Sequence, residues 1–195
     1  MNTVVAIINF ESLFPGAITE VDSIKLDEKI RHILSHILEN NPNAEYVKIR
    51  LYGNWYEGIS FTKEASALLQ KLAEVQLFPM IRPPRNLIRG EILITRQLYG
   101  VGHSWDTFFS DLDSSRNCEF VDTMIACNMV SYSMDPDVSS LYLFSNELRH
   151  LPAIDIISKL SRKPKLELIS SDKGKCVVMK KIFPQDDVTV IYLKL

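Results

Sequence analysis

The stretch VVAII, residues 4–8 of the opening MNTVVAIINFES, decides the fold. Every side chain in it except Ala6 is β-branched, and no polar residue alternates with them. Branched side chains suit a pleated strand. A strand with one face in water alternates polar and apolar residues. A strand buried on both faces reads as a continuous apolar run, as in the middle of a parallel sheet. Its carboxyl end carries Asn9, Phe10, Glu11 and Ser12, and Pro15-Gly16 breaks the chain just beyond.

The elements that follow agree with a parallel sheet. Ile30, Ile33, Leu34, Ile37 and Leu38 recur at helical spacing, and ENNPN at 39–43 stops that helix. In YVKIRLY, residues 46–52, Val47, Ile49 and Leu51 alternate with Lys48 and Arg50, which predicts a strand. Ala65, Leu68, Leu69 and Leu72 mark a second helix, with Thr62 as its N-cap. LFPMI at 77–81 reads as a third strand, placed at an edge or bend by Pro79. The order is β-α-β-α-β, which implies right-handed crossovers.

GEILITRQLY at 90–99 predicts a further strand and residues 103–117 a short helix or loop. Residues 120–134 read as a helix, 139–144 as a strand, 147–160 as a helix despite Pro152, and 165–170 as a strand. KCVVMKKIF at 175–183 and DVTVIYLKL at 187–195 read as two strands of a terminal β-hairpin. The expected architecture is therefore an α/β domain over residues 1–170, a three-layer sandwich around a mainly parallel sheet. A C-terminal hairpin, residues 171–195, packs on the same domain. Its last strand has apolar residues on both faces, so it covers the sheet edge or pairs with a second copy, and a homodimer is expected.

Composition narrows the function classes. A chain of 195 residues with 46% hydrophobic and 24% charged residues suits one globular domain that needs no disulfide. A net charge of −2 removes any chain-wide argument for polyanion or membrane adsorption, though not a local basic patch. Cys118, Cys127 and Cys176 are odd in number and lack metal spacing, which predicts reduced thiols and a cytoplasmic protein. The opening apolar run falls far short of the ~20 residues that span a membrane.

In open parallel sheets, ligands bind beyond the carboxyl ends of the strands. Those ends carry Asn9 and Glu11, the aromatic segment from Tyr52 to Tyr56, and the loop from Ser145 to Arg149. Asp122, near a helix start, can point at the same crevice. Carboxylates converging there would hold a hard divalent cation and activate water.

Four segments together resemble NYN domains, relatives of the PIN-like ribonucleases. VVAIINFES at 4–12 resembles their apolar first strand running into Ile-Asp-x-x-Asn. LYGNW at 51–55 is similar to their Tyr-Gly-x-Trp segment, and FVDTMIACNMV at 120–130 to their Val-Asp-x-x-x-x-x-Asp helix head. YLFSNELRHLP at 142–152 resembles their Ser-Gly-Asp-x-Asp-Phe-x-Pro. The resemblance implies a PIN/NYN-like sandwich and, in an intact member, Mg²⁺- or Mn²⁺-dependent cleavage of RNA.

Residue by residue, the acidic set is depleted. The family's first aspartate falls on Asn9 and its asparagine on Ser12. Asp122 is kept, but the second helix aspartate falls on Asn128. Ser145 is kept, Glu147 stands for the next aspartate, and the last falls on Arg149. An asparagine offers an oxygen without charge, and an arginine repels a cation outright. The pattern predicts that Arg149 pairs with Asp122 or Glu147 where relatives hold metal. Glu11, Asp122 and Glu147 are the catalytic set, and Asp122 and Glu147 the metal ligands, if activity persists.

Two segments supply positive charge for RNA. Arg82, Arg85, Arg89 and Arg96 form one, and Lys159, Arg162, Lys163, Lys165, Lys173, Lys175, Lys180 and Lys181 the other. The aromatics of YGNWY either stack on bases or pack beneath the neighbouring loop. His32 and His36 have the spacing of a helical zinc pair but no accompanying glutamate. His103, Ser104 and Asp106 are adjacent without triad geometry, and GVGHSW is no phosphate loop. The sequence favours a non-catalytic module that binds RNA or a protein. The alternatives are a divergent metal-dependent ribonuclease and a structural homo-oligomeric subunit.

Overall fold

The strand VVAII lies in the centre of a seven-stranded sheet, with every residue from Thr3 to Asn9 buried. A computed structural model describes residues 2–10, 23–53, 55–57, 60–74, 77–82, 86–94, 119–184 and 188–194. The first half of the chain gives β1 (Thr3–Asn9), α1 (Ser23–Asn40), β2 (Tyr46–Tyr52), β3 (Tyr56–Glu57), β4 (Ser60–Phe61) and α2 (Lys63–Glu74). Next come β5 (Met80–Arg82), β6 (Asn86–Ile94), α3 (Glu119–Met134), β7 (Val138–Phe144) and α4 (Leu151–Ser158). β8 (Lys165–Ser170), α5 (Lys173–Ile182) and β9 (Val188–Tyr192) complete the described elements.

The sheet order is β5-β6-β2-β1-β7-β8-β9, and only β5 runs antiparallel to its neighbour. Numbered by the parallel strands alone, this is the doubly wound order 3-2-1-4-5-6, whose switch point lies between β1 and β7. Alternate residues of β1 serve two cores. Val4, Ala6 and Ile8 pack with Ile30, Ile33 and Ile37 of α1 and Ala65 and Leu68 of α2. Val5 and Ile7 pack with Val121, Ile125 and Met129 of α3, Ile154 and Ile157 of α4, and Cys176 and Met179 of α5. That double duty is the physical reason for the unbroken apolar run.

Local signals place the helix ends. Thr62 Oγ1 accepts a hydrogen bond from Ala65 N at 3.1 Å and caps α2. Pro152 sits in the first turn of α4, where its missing N–H costs no helical hydrogen bond. Arg50, on the second face of β2, reaches Glu91 at 2.6 Å and the Tyr132 hydroxyl at 3.1 Å, which lets a charge sit on a half-buried sheet face.

The C-terminal hairpin is corrected. Residues 173–182 form helix α5, and β9 runs parallel to β8, from Leu166↔Val188 to Ser170↔Tyr192. A two-residue turn cannot join parallel strands, so a crossover is obligatory. Asp172 Oδ1 caps the helix by accepting Gly174 N at 2.7 Å and Lys175 N at 3.1 Å. Cys176 and Met179, three apart, then turn one face to the core. The Val-Val pair suggests a strand, but the cap and this spacing prevail. The hairpin edge expected to join two copies is replaced by β9, a short edge strand continuous with the sheet. The expected strand through 95–99 and the helix or loop at 103–117 lie outside the described residues, as do Glu11, Ser12 and Arg85.

One buried charge sits away from the strand ends. Glu167 on β8 is 1% exposed, with Lys165 Nζ 2.5 Å from Oε1 and His36 Nε2 3.6 Å from Oε2. The Tyr142 hydroxyl donates to Oε1 at 3.3 Å and accepts from Asn41 Nδ2 at 2.5 Å, and Ser140 Oγ donates to Asn41 Oδ1 at 2.6 Å. Burial pushes the Glu167 carboxyl up, but His36 and Lys165 outweigh it and hold the group below the usual range. Burial and the neighbouring carboxylate both push the Tyr142 phenol up. Removing Lys165 strands the carboxylate. Lys165→Ala is expected to lose about 1–2 kcal/mol, because the lysine is half exposed and partly screened. The double variant with Glu167→Gln should recover most of that loss, and urea melts of the variants check both outcomes.

Candidate functional site

The switch point brings the carboxyl ends of β1 and β7 side by side, with Ile8 level with Phe144 and Asn9 level with Tyr52 of β2. Asn9 is 6% exposed there. Ser145, Asn146 and Glu147 follow β7, and α3 presents Asp122 from its first turn.

Hydrogen bonds fix the loop. Ser145 N donates to Ile169 O at 3.0 Å, and Ser145 Oγ accepts Glu147 N at 3.0 Å. Asn146 Oδ1 accepts Ser170 Oγ at 2.8 Å and Ser171 N at 3.0 Å, which ties the end of β7 to the end of β8. Asn146 thus serves as a staple, a role its place in the sequence does not reveal.

Asp122 lies between two consecutive side chains. Arg149 Nη1 is 3.3 Å from Oδ2, and His150 Nε2 is 3.5 Å from Oδ1. The arginine side chain is 62% exposed, the aspartate 10% and the histidine 0%. The expected pairing of Arg149 with Asp122 is therefore present. With one partner so exposed, it stabilises the fold by under about 1 kcal/mol. Glu147 has its own cation, Lys175 Nζ at 3.6 Å from Oε1. Asn128 lies six residues beyond Asp122, roughly 240° around α3, and does not share its side of the helix.

His150 is the unusual member. It is fully buried, and neither ring nitrogen has a hydrogen-bond partner. Burial depresses its pKa to about 4, Arg149 adds to the depression, and Glu147 opposes it. The imidazole is therefore neutral at pH 7 and places no charge beside Asp122.

Two aromatics of the segment, Tyr52 and Trp55, are structural. Trp55 is 0% exposed, meets Phe10 edge-on with ring centroids 5.3 Å apart, and donates Nε1–H to Leu51 O at 3.1 Å. Tyr52 is buried in the second core. Neither ring is offered to a base, so stacking at these two positions is corrected to packing. Gly53 exists to let Trp55 in, since a Cβ at this position would lie 2.7 Å from the indole.

Most of the described basic residues lie away from the site. Lys159 pairs with Asp155 at 2.6 Å, Arg162 donates to Pro136 O at 2.9 Å, Lys163 to Ser158 O at 2.6 Å, and Lys165 serves Glu167. These four cluster between α4 and the start of β8, at the opposite end of the sheet from residue 145. Arg89 is exposed on β6, and Arg82 ends β5. Lys175 comes to the site from α5 and Lys173 lies 5.3 Å over the Tyr192 ring, because the helix starts at the carboxyl end of β8.

Among the described residues, Asp122 and Glu147 by themselves do not make a site for a divalent ion. Hard cations take several charged oxygens, and the two carboxylates here are each turned to a different internal cation. Among the described residues, no group of three or more His, Cys, Asp and Glu could hold a metal ion. The sequence that follows β1, FESLFPG at 10–16, also lacks the Gly-x-Gly-x-x-Gly that doubly wound dinucleotide sites use. No protein-family model, curated protein or solved structure matches the chain. Among the described residues, no helix is long and apolar enough to cross a membrane.

Two outcomes follow from this geometry. Gly53→Ala forces the backbone or the Trp55 ring to move, and overpacking of this kind costs about 1–3 kcal/mol. A lowered thermal midpoint with quenched or shifted tryptophan emission checks it. For His150, the unfolded chain binds a proton near pH 6.5, whereas the folded one resists until about 4. Its contribution is complete above pH 6.5 and declines as the pH falls through that window, by about 3 kcal/mol at most. Melts at pH 7 and pH 4.5 should differ more for the native chain than for His150→Leu.

Proposed function

We propose that the chain is a non-catalytic binding module, an NYN-like three-layer domain in which internal cations replace the metal, with RNA or a protein as ligand. The observation that carries this reading is the pairing of both remaining carboxylates, Asp122 with Arg149 and Glu147 with Lys175. A nuclease of this type needs uncompensated negative charge in the crevice, to draw a dehydrated cation and through it activate water. Among the described residues, that charge is neutralised from within the chain. Asn9 and Asn128 supply no replacement, and His150 is neutral.

The crevice at the switch point keeps the position at which open α/β sheets bind ligands. Arg149 and Lys175 border it and are 62% and 38% exposed, so the edge displays cations rather than a cation-binding pocket. The ribonuclease alternative with Glu11, Asp122 and Glu147 requires both cations to be displaced before metal enters.

Calorimetric titration with Mn²⁺ separates the two. No saturable binding is expected up to millimolar metal, and a labelled oligouridylate should stay uncut in its presence. Retention of the oligonucleotide without divalent ions, weakening steeply with salt, would identify RNA as the ligand. Saturable Mn²⁺ binding that Glu147→Ala abolishes, together with cleavage, would overturn the proposal.

A further inference from the structure

The side of the sheet that α3, α4 and α5 cover stays open over one half among the described residues. Their core takes in β1, β7, β8 and β9, but only Tyr52 of β2 and no residue of β5 or β6. Side chains alternate along a strand, which fixes what the open half displays. Val47 and Ile49 of β2 and Ile88 of β6 enter the opposite core. Tyr46 and Lys48 of β2, and Leu87, Arg89 and Glu91 of β6, therefore lie on the open side. The strand register sets Tyr46 level with Arg89 and Lys48 level with Glu91.

This face carries a surplus of positive charge. Its one acid among the described residues, Glu91, is held by Arg50 at 2.6 Å. Lys48 and Arg89 have no ion-pair partner among the described residues, and Arg89 is exposed. Tyr46, half-buried, stands beside Arg89 and about 7 Å along the strand from Lys48. Leu87, two residues from Arg89 on β6, is 49% exposed. Two cations thus alternate with an aromatic and an aliphatic side chain on one sheet face.

That alternation sorts the occupants. An amphipathic helix of a partner protein needs an unbroken apolar stripe. Here the exposed Leu87 and Leu93 stand about 20 Å apart on β6, with Arg89 and Glu91 between them. A second copy would bring Lys48 and Arg89 against the same cations, and like charges in a contact are strongly unfavourable. A single-stranded polynucleotide presents phosphates and bases in turn, and asks for cations interleaved with flat or apolar side chains.

We infer that the open face of β2 and β6 binds single-stranded RNA. A base stacks on Tyr46, its neighbour lies against Leu87, and the phosphates meet Lys48 and Arg89. Sheet faces that carry aromatics serve single-stranded RNA in the same way elsewhere. The inference deepens the binding-module proposal by choosing RNA as ligand and giving it a surface apart from the crevice. It rests on that proposal only for the premise that the chain binds rather than cuts.

The test uses the full chain and labelled oligouridylate, read by fluorescence anisotropy without divalent ions. Saturable binding is expected, with affinity reduced about tenfold or more in Lys48→Glu/Arg89→Glu and roughly fivefold or more in Tyr46→Ala. Tyr46→Phe, which keeps the ring, should bind as the native chain does. Lys25→Glu/Lys63→Glu makes the same charge change at two exposed lysines of α1 and α2, on the opposite side of the sheet, and should lose far less. Circular dichroism confirms that the variants keep their fold. No saturation at high micromolar protein, or affinity unchanged in Lys48→Glu/Arg89→Glu, would overturn the inference. So would an equal loss in the Lys25 and Lys63 variant, which reports net charge alone. Equal capture of polyglutamate would overturn it too, since the face would then take an acidic protein as readily. The Mn²⁺ titration reads the crevice and not this face, so failure here leaves the proposal about the switch point standing, and the converse holds.

Discussion

Burial of β1 on both faces is the constraint from which the rest of the structure follows. A strand with no solvated face must be covered twice, so helices are required on either side of the sheet. α1 and α2 supply one core and α3, α4 and α5 the other, with alternate residues of the same five-residue run in each. The reversal of winding direction on either side of β1 then creates the crevice between β1 and β7. The site is a by-product of covering the central strand.

At that crevice, electrostatics decides what the fold can do. In a site with converging carboxylates, repulsion between them is relieved by a bound cation. Here Asp122 faces Arg149 and Glu147 faces Lys175, and both cations stay partly in water, where such contacts contribute little stability. The outcome is a charge-compensated edge held in shape by Asn146 and Ser145. Fold alone assigns no activity to this edge, because function resides in the site.

Polar groups inside the molecule are treated in two ways. Glu167 stays charged because Lys165 and a chain of hydroxyl and amide groups serve it under α1. His150, with Asp122 Oδ1 at 3.5 Å but neither ring nitrogen hydrogen-bonded, stays neutral instead. Both solutions avoid an isolated buried charge, the costliest state available to either residue.

Much of the frame was legible in the sequence. The strand at VVAII, the Thr62 cap, the period-2 run at Tyr46–Tyr52 and the helices over residues 30–38 and 120–134 are set by neighbours a few positions apart, which a sequence displays directly. Residues 175–183 misled because Val177 and Val178 favour strands, while the parallel pairing of β8 with β9, set by a contact some twenty residues apart, demanded a helix. Tertiary structure alone decided that Lys175 serves Glu147, that His150 backs Asp122, and that the lysines at 159–165 lie away from the crevice. Those facts depend on which strand ends the sheet order brings together, and charge identity carries no address until the chain is folded.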